Sequence, residues 1–378
     1  MILSEEQTMI RDMARDFAAS RLAPNSAAWE EAEAVPRDVF SEMGALGLMG
    51  MTVPESYGGA DTDFVSYALA LMEIAGGDGA VSTVMSVNNS PCCAALLKEG
   101  TEQQKQTYLV PLAKGEMIGA FCLTEPQAGS DAGALKTRAR KDGDSYVING
   151  TKQFITSGKI GGLALVFAVT DPDAGKRGIS CFIVPTETEG YRVASVEKKL
   201  GQKASDTCQI AFDDVRVPAE NMLGAEGAGY RIALANLETG RIGIGAQSVG
   251  MAEAALKHAL EYSKQRQSFG KPIIEHQAVG FRLADMATKL EAARQIVLHA
   301  ATYKDAGIPC LTEASMAKLF ASEVAEEICS AAIQTLGGNG YVSDYPVEKI
   351  YRDVRVCQIY EGTSDIQKLV IARNLAMA

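Results

Sequence analysis

The segment IYEGTSDIQ, residues 359–367, places a carboxylate where acid–base chemistry would be possible. Glu361 lies between an aromatic residue and a Gly-Thr-Ser turn, where the last helix of the chain is predicted to begin. There it has two possible roles. It either stabilises the positive end of the helix dipole, an effect of about 0.3–1 kcal/mol, or it acts as a general base whose pKa is raised toward neutrality by burial.

The segment FCLTEPQAGSDAG, residues 121–133, combines a strand with a turn that exposes polar groups. The strand is predicted to end at Thr124, and the chain then turns through Gly129 and Ser130. Such a turn presents backbone N–H groups and hydroxyls that suit a phosphate or a heteroaromatic ring. The alternative is an ordinary Pro/Gly turn between two strands.

The segment INGTKQFITSG, residues 148–158, is typical of a hairpin that turns through the Asn-Gly pair at 149–150. Beyond that turn we expect Phe154, Ile155 and Thr156 to be carried outward. Taken alone, this segment predicts a hairpin and no chemistry.

Several other chemistries lack their motifs. GRIGIGAQSVG, residues 240–250, has Ser248 where a GxGxxG loop needs its third glycine, and no strand precedes it. The sequence contains no Walker A loop, HExxH or GxSxG motif. Its 8 cysteines form no CxxC pair and it has only 3 histidines, which argues against a zinc site and favours reduced thiols. We interpret His276, at the start of a predicted helix, as a structural or surface residue.

Composition narrows the function further. The 378 residues are 47% hydrophobic, enough for two or three packed units. The net charge of −11, without a basic cluster among aromatics, argues against nucleic acid as a partner. No apolar run approaches the roughly 18 residues that a membrane span needs, and acids occur from the first turn, unlike a signal or transit peptide. We therefore expect no membrane association and a cytoplasmic location, with a processed mitochondrial matrix form as the alternative.

Hydrophobic periodicity divides the chain into helical, β-rich and helical parts. Ser4 is predicted to cap a first helix, and helical spacing continues to about Lys114. Short β-branched runs then follow to about Pro218, and helical periodicity returns after Gly229. The fold class is therefore α+β and multidomain. The predicted domains are 1–116 (helical), 117–229 (antiparallel β) and 230–378 (helical bundle).

Five motifs in this order resemble those of the acyl-CoA dehydrogenase family. They are FCLTEPQAGSDAG, INGTKQFITSG, RQSFGKPIIEHQ, QTLGGNGY and IYEGTSDIQKL, and the MSVNNS and GRIGIG segments are most similar to the short-chain, butyryl-type members. The resemblance implies an N-terminal helical domain, a middle antiparallel β-barrel-like domain and a C-terminal four-helix bundle. It also implies FAD, held between the middle domain, the bundle and a neighbouring subunit of a homotetramer (a dimer of dimers) or of a dimer.

The reaction that the resemblance implies is α,β-dehydrogenation of a short- to medium-chain acyl-CoA to the trans-2-enoyl-CoA. Electrons would then pass to an electron-transfer flavoprotein. Glu361 matches the family's base, and its N–H, with a flavin hydroxyl, is expected to hold the thioester carbonyl. Some members carry the base on an earlier helix, at the position of Gly240 here. Gly362 is expected to let the backbone approach the ligand closely.

The resemblance also assigns cofactor and substrate contacts residue by residue. The expected FAD contacts are Phe121, Leu123, Thr124, Gly129, Ser130, Phe154, Ile155, Thr156, Arg266, Ser268, Phe269, Gln277, Gln334, Gly337, Gly338, Thr363 and Asp365. Four of these, Arg266, Ser268, Phe269 and Gln277, are expected from the adjoining subunit. The expected substrate contacts are Ser130, Glu238, Arg241 and Gly362, and no metal ligand is expected. For Arg241 the alternative is an ordinary buried ion pair.

Other functions remain open within the same fold. They are an acyl-CoA oxidase, a branched-chain or aryl-acyl-CoA dehydrogenase, and a non-catalytic flavin-binding assembly protein. Chain-length choice is expected from the helix over residues 81–100, where Pro91-Cys92-Cys93 could deepen the acyl pocket. A methylene discriminates by only about 1–3 kcal/mol, so the sequence leaves short and medium chains undecided.

Overall fold

Helices form both ends of the chain in the computed structural model, which describes residues 1–377. The α-helices are α1 (Glu5–Phe17), α2 (Ser26–Ala32), α3 (Arg37–Ala45), α4 (Phe64–Gly77), α5 (Gly79–Val87), α6 (Ala94–Glu99), α7 (Glu102–Gln104), α8 (Val110–Ala113), α9 (Gly229–Gln265), α10 (Gln277–Asp305), α11 (Leu311–Leu336), α12 (Val347–Val354) and α13 (Ser364–Leu375). Ser4 caps α1 as predicted. Its Oγ accepts the Gln7 N–H, and the Gln7 side chain accepts the Ser4 N–H.

The strands lie between the two helical parts. They are β1 (Gly119–Cys122), β2 (Arg138–Asp142), β3 (Ser145–Thr156), β4 (Leu163–Val169), β5 (Ile179–Pro185), β6 (Tyr191–Val196), β7 (Thr207–Pro218), β8 (Met222–Leu223), β9 (Gln267–Ser268) and β10 (Lys271–Pro272). The predicted helical, β and helical order is confirmed. The boundaries at 116/117 and 229/230 stay a prediction.

The middle sheet is mixed: most of its strand pairs are antiparallel, as predicted, and two are parallel. Its path runs β6-β7-β3-β2-β4-β5-β8, and β1 pairs with β4 in parallel. β2 also meets β4 in parallel, at Arg138 and Val169. The remaining pairs of this sheet are antiparallel.

The predicted hairpin at Asn149-Gly150 was also wrong. Both residues lie inside β3, where the pairing with β7 shifts register between Ile148 and Gly150. Gly150 has φ +152, and a Cβ there would overlap Thr137. The glycine therefore marks a β-bulge within one long strand rather than a turn.

Two buried asparagines bind the loop after α3, and one of them, Asn88, also binds the first strand. α5 continues through a π-turn, Asn88–Cys93, into α6, and this wider turn accommodates Pro91 inside the helix. The Asn88 side chain donates to Met49 O at 2.8 Å and accepts the Gly119 N–H at 3.0 Å. Asn89 accepts the Met51 N–H at 2.7 Å. These bonds fix where β1 begins relative to the helices.

The C-terminal bundle consists of α9, α10, α11 and α13, as predicted. Small residues in α9 let it approach its neighbours closely, since a Cβ on Gly250 would overlap the carbonyl of Met72 on α4. A Cβ on Gly245 would lie 2.9 Å from Val297 on α10. Among residues 1–377, no helix has the length and apolar character to cross a bilayer.

Candidate active site

Glu361 sits in a left-handed turn just before α13. It has φ +51 and Gly362 has φ +93, and the Thr363 Oγ1 caps α13 by accepting the Ile366 N–H. The Glu361 carboxylate lies against the backbone of α9, where a Cβ on Gly240 would overlap Oε2. Gly240 therefore leaves room on α9 for the side chain of Glu361.

The surroundings of Glu361 suit a base rather than a helix-dipole residue. Its Oε2 is buried and has no hydrogen-bond partner among residues 1–377. Burial raises the pKa of Glu361 to about 7, while Lys318 and Arg241 act in the opposite direction. Within residues 1–377, the Glu361 N–H donates to no backbone carbonyl. This donor beside the carboxylate is therefore free for a ligand.

Arg241 lies beside the same carboxylate without pairing as an ordinary ion pair would. It is 7% exposed and its Nη1 donates to Ser315 Oγ at 3.2 Å, while its Nε has no partner in the described chain. Burial lowers the pKa of this guanidinium, and Glu361 and Glu238 oppose that effect. Glu238 is half-buried and accepts a 3.7 Å contact from the Cys310 thiol. An unpartnered buried donor of this kind is suited to a ligand.

Sequence reasoning missed three side chains near this turn. Lys318 is fully buried and donates to the Gly362 carbonyl at 2.7 Å. The hydroxyls of Tyr67 and Ser86 are buried without a partner among residues 1–377. A Cβ on Gly243 would lie 3.1 Å from the Tyr67 hydroxyl and 3.0 Å from the Ser86 Oγ. The signal that could have found Lys318 is a lone cation in the apolar stretch ASMAKLFASEVA.

The strand end at Leu123 and Thr124 is held by a buried ion pair that the sequence did not indicate. The Lys152 Nζ donates to Leu123 O at 3.0 Å and to Glu125 Oε1 at 2.8 Å. The two charged side chains are 0% and 2% exposed. Burial opposes ionisation of Glu125, but the charge and hydrogen bond of Lys152 prevail and lower the pKa of Glu125 to about 2.

We expect Lys152→Met to lower the free energy of unfolding by about 3–5 kcal/mol, because Glu125 would be left as an uncompensated buried charge. Chemical denaturation monitored by circular dichroism measures this loss. The double variant Lys152→Met, Glu125→Gln should recover part of it, since the buried charge is then removed. A single variant within about 1 kcal/mol of the parent would contradict the assignment.

The residues at the end of β3 differ in how far they are exposed. Phe154 has φ +58 and is 61% exposed, and Thr156 is half-buried where β3 ends. Ile155 is 2% exposed and packs inside the sheet. The prediction that its side chain points outward was therefore wrong, and only its main chain can face a ligand.

The turn after β1 and the residues around Glu361 hold the other predicted contacts. Phe121 is half-buried and its ring packs on Phe167 at 4.8 Å between centroids. Gly129 and Ser130 are exposed, and a Cβ on Gly129 would meet nothing within 4 Å. Asp365 is exposed in the first turn of α13.

A second group of predicted residues meets in a groove between α9 and α11. Arg266, Ser268, Gly337 and Gly338 line a cavity of about 420 Å³. A Cβ on either glycine would meet nothing within 4 Å, so the main chain there is open to a ligand. Phe269 is 94% exposed. The remaining predicted members, Gln277 on α10 and Gln334 on α11, are also exposed.

These features fit FAD on chemical grounds. The glycine-lined groove next to Arg266 suits a pyrophosphate, because the glycines leave space for it and a guanidinium binds phosphate oxygens. The strand ends at Thr124 and Thr156 offer hydroxyls and main chain to a polar ring. The site defined by Glu361 supplies an unpartnered carboxylate beside an open N–H. Fold and site together define a flavin-dependent oxidoreductase.

Comparison with known proteins identifies the family. The chain belongs to the acyl-CoA dehydrogenase family, whose members are FAD-dependent oxidoreductases. The models for the N-terminal, middle and C-terminal domains match residues 4–116, 120–215 and 227–376.

Individual relatives match over nearly the whole chain. The short-chain specific acyl-CoA dehydrogenase of Clostridium acetobutylicum is 45% identical over 99% of this chain and 98% of its own. Butyryl-CoA dehydrogenase from Megasphaera elsdenii has a TM-score of 0.97 and 43% identity, covering 100% of this chain and 99% of its own. A chain in a structure of the electron transferring flavoprotein of Acidaminococcus fermentans has a TM-score of 0.98 and 46% identity, covering 100% of both chains.

Proposed function

We propose that this protein dehydrogenates a short-chain acyl-CoA to the trans-2-enoyl-CoA, with Glu361 as the base that removes the α proton. The observation that carries the proposal is the Oε2 atom of Glu361, which is buried against Gly240 without a hydrogen-bond partner among residues 1–377. The similarity to short-chain and butyryl-CoA dehydrogenases supports the choice of substrate.

The chemistry requires that a weakly acidic α C–H be broken as its thioester oxygen gains charge. Glu361 meets the first need, because burial raises its pKa to about 7 and a base near the operating pH is most effective. The open N–H of Glu361 meets the second, since a preorganised donor stabilises developing negative charge. Gly362 and its positive φ let this main chain approach the thioester. The flavin supplies the acceptor for the β hydride.

The space that we propose for the acyl group, beside Glu361, suits a short chain. Gly240 and Gly243 are one turn apart on α9, so their side-chain positions are about 5–6 Å from each other. The first borders the Glu361 carboxylate, and the second borders the hydroxyls of Tyr67 and Ser86. An acyl chain that starts at the base would therefore meet Tyr67 after a few carbons. We therefore propose a short-chain rather than a medium-chain substrate.

We also propose the FAD contacts that the family resemblance assigns. The strand ends at Leu123, Thr124 and Thr156 would hold the flavin ring. The groove at Arg266 and Gly337 would hold the pyrophosphate of the FAD that is bound to a neighbouring copy of the protein. In such a shared site the neighbouring copy would cover Phe269, which is 94% exposed. The assembly we propose is a homotetramer.

We further propose an electron-transfer flavoprotein as the electron acceptor and the cytoplasm as the location. The similarity to a chain in the Acidaminococcus fermentans structure supports this acceptor.

The decisive experiment is anaerobic reduction of the purified holoprotein by defined acyl-CoAs. We expect a flavin spectrum that bleaches faster with butyryl-CoA than with octanoyl-CoA, because Tyr67 would limit the length of the acyl chain. Butyryl-CoA should also be faster than isobutyryl-CoA, since the relatives are short-chain and butyryl-CoA dehydrogenases. A flavin that none of the three bleaches would contradict dehydrogenation. Oxygen consumption without an added electron-transfer protein would instead favour an oxidase.

A further inference from the structure

A lysine in the middle of α11 is buried next to the Glu361 turn. Lys318 is 0% exposed, and its Nζ donates to the Gly362 carbonyl at 2.7 Å. Lysine is rarely buried completely unless it is paired. Yet Lys318 takes part in none of the ion pairs formed within residues 1–377, and Gly362 O is its hydrogen-bond acceptor there. A buried ammonium bonded to the main chain next to a base calls for an explanation.

The Gly362 carbonyl accepts a second buried donor. The Gln367 Nε2 lies 2.9 Å from Gly362 O and 3.3 Å from Glu361 O, and this side chain is 0% exposed. We call the two donors on Gly362 O, Lys318 Nζ and Gln367 Nε2, the carbonyl clamp. The clamped residues follow one another with φ +51 and φ +93, and the first is a glutamate, which rarely adopts this conformation. Neighbouring groups must therefore hold it there.

The electrostatic surroundings add a second role. The charged and titratable groups facing the Glu361 carboxylate are Lys318 on α11, Arg241 on α9 and Tyr67 on α4, with Glu238 acting on Arg241 and Cys357 on Lys318. Of these, Lys318 and Arg241 favour the ionised carboxylate, against the effect of burial. Burial also lowers the pKa of Lys318 to about 8, so its ammonium is still present at neutral pH.

We propose that Lys318 is a positioning residue for proton abstraction: with Gln367 it fixes the Glu361–Gly362 main chain, and its charge keeps the Glu361 carboxylate available as a base. The inference rests on the proposed function, because it concerns the same carboxylate. The clamp explains why a strained turn keeps one geometry. The charge explains how a carboxylate without hydrogen bonds to Oε2 can be ionised.

Two variants separate the clamp from the charge. Lys318→Met removes both at similar side-chain length, whereas Gln367→Leu weakens the clamp and leaves the charge. The first readout is a pH titration of the Glu361 carboxyl stretch by infrared difference spectroscopy, assigned by its loss in Glu361→Gln. The second is the pH profile of flavin reduction by butyryl-CoA in the holoprotein.

We expect Lys318→Met to move the Glu361 midpoint upward by about one pH unit, because a nearby opposite charge has been removed. Gln367→Leu should slow flavin reduction by about tenfold with the midpoint unmoved, because misplacing a reacting group reduces the rate without changing its charge environment. An unmoved midpoint in Lys318→Met would overturn the charge role. An undiminished rate in Gln367→Leu would overturn the clamp.

If Lys318→Met does not fold, Lys318→Gln serves in its place. It keeps a donor and loses the charge, so the same upward movement of the midpoint must appear, and an unmoved midpoint overturns the proposal. The infrared titration needs no acyl-CoA. A protein that fails to dehydrogenate any acyl-CoA would thus contradict the proposed function while the midpoint measurement still judges the role of Lys318.

Discussion

Replacing Glu361 with Gln is expected to leave FAD bound and to slow flavin reduction by butyryl-CoA by about 10²–10⁴-fold. The amide has nearly the same shape as the carboxylate, so it fits the space that Gly240 leaves on α9. It cannot accept the α proton. Stopped-flow absorbance of the oxidised flavin measures the rate, and the spectrum before mixing reports the bound cofactor.

Glu327→Gln is the matched control. Glu327 lies on the exposed side of α11, where it pairs with Lys289, and 60% of its side chain is exposed. The same chemical change there should leave the reduction rate within about twofold of the parent, because a surface ion pair contributes at most about 1 kcal/mol. A Glu361→Gln protein as fast as this control would exclude Glu361 as the base.

Glu361→Gln is also expected to change how the stability of the protein depends on pH, which can be measured without substrate. The pKa of Glu361 is raised by burial to about 7, above its value in an unfolded chain. Its protonated form is therefore favoured by folding, and that stabilisation is present at low pH and lost as the pH rises through about 7. The Glu361→Gln protein should lack this dependence, so its stability relative to the parent should rise between pH 5 and pH 8 in thermal unfolding.

The fold was predictable where periodicity and caps decide it. Ser4 marks the start of α1, and the long runs of helical periodicity after Gly229 form the bundle. The pairing of β1 was not predictable, because alternation tells which face a residue occupies but not which strand lies beside it. The parallel contact between Gly119 and Leu163 depends on the whole β unit.

Helix α12 shows how a buried charge misleads sequence reasoning. Its sequence VEKIYRDV is rich in charge, yet Lys349 and Asp353 are 6% and 1% exposed. The Lys349 Nζ lies 2.6 Å from Asp353 and 3.3 Å from Asp78 on the N-terminal side of the molecule. Charges at i and i+4 are usually taken as a solvated face, and only the tertiary structure supplies the third partner.

The residues of the candidate site likewise fall into those that sequence motifs indicate and those that they do not. Glu361, Gly362 and Arg241 could be predicted from their motifs, whereas Lys318 and Tyr67 could not. A single lysine or tyrosine in a helix is usually interpreted as a surface or core residue. Their proximity to Glu361 arises because α4 and α11 both pack on α9 next to its glycines.

Gly240→Ala is expected to separate catalysis from stability. A Cβ at this position would overlap Oε2 of Glu361, which is the far end of a flexible side chain rather than backbone. The carboxylate can move away at little cost in folding free energy. Alanine in place of a glycine inside a helix also favours the folded state by about 0.5–1 kcal/mol. The variant should therefore be as stable as the parent, or more so.

Its flavin reduction, in contrast, should fall by about 10²-fold, because displacing a base by about 1 Å is enough for such a loss. Gly243→Ala is the control, since a Cβ there would lie 3.0–3.1 Å from hydroxyls and would not reach the base. That control should retain reduction by butyryl-CoA and lose more of its activity with longer chains. Thermal unfolding and anaerobic stopped-flow on the same samples measure both effects. A Gly240→Ala protein that is stable and fully active would show that the Glu361 carboxylate does not need this place on α9, and the proposed geometry of proton abstraction would then be wrong.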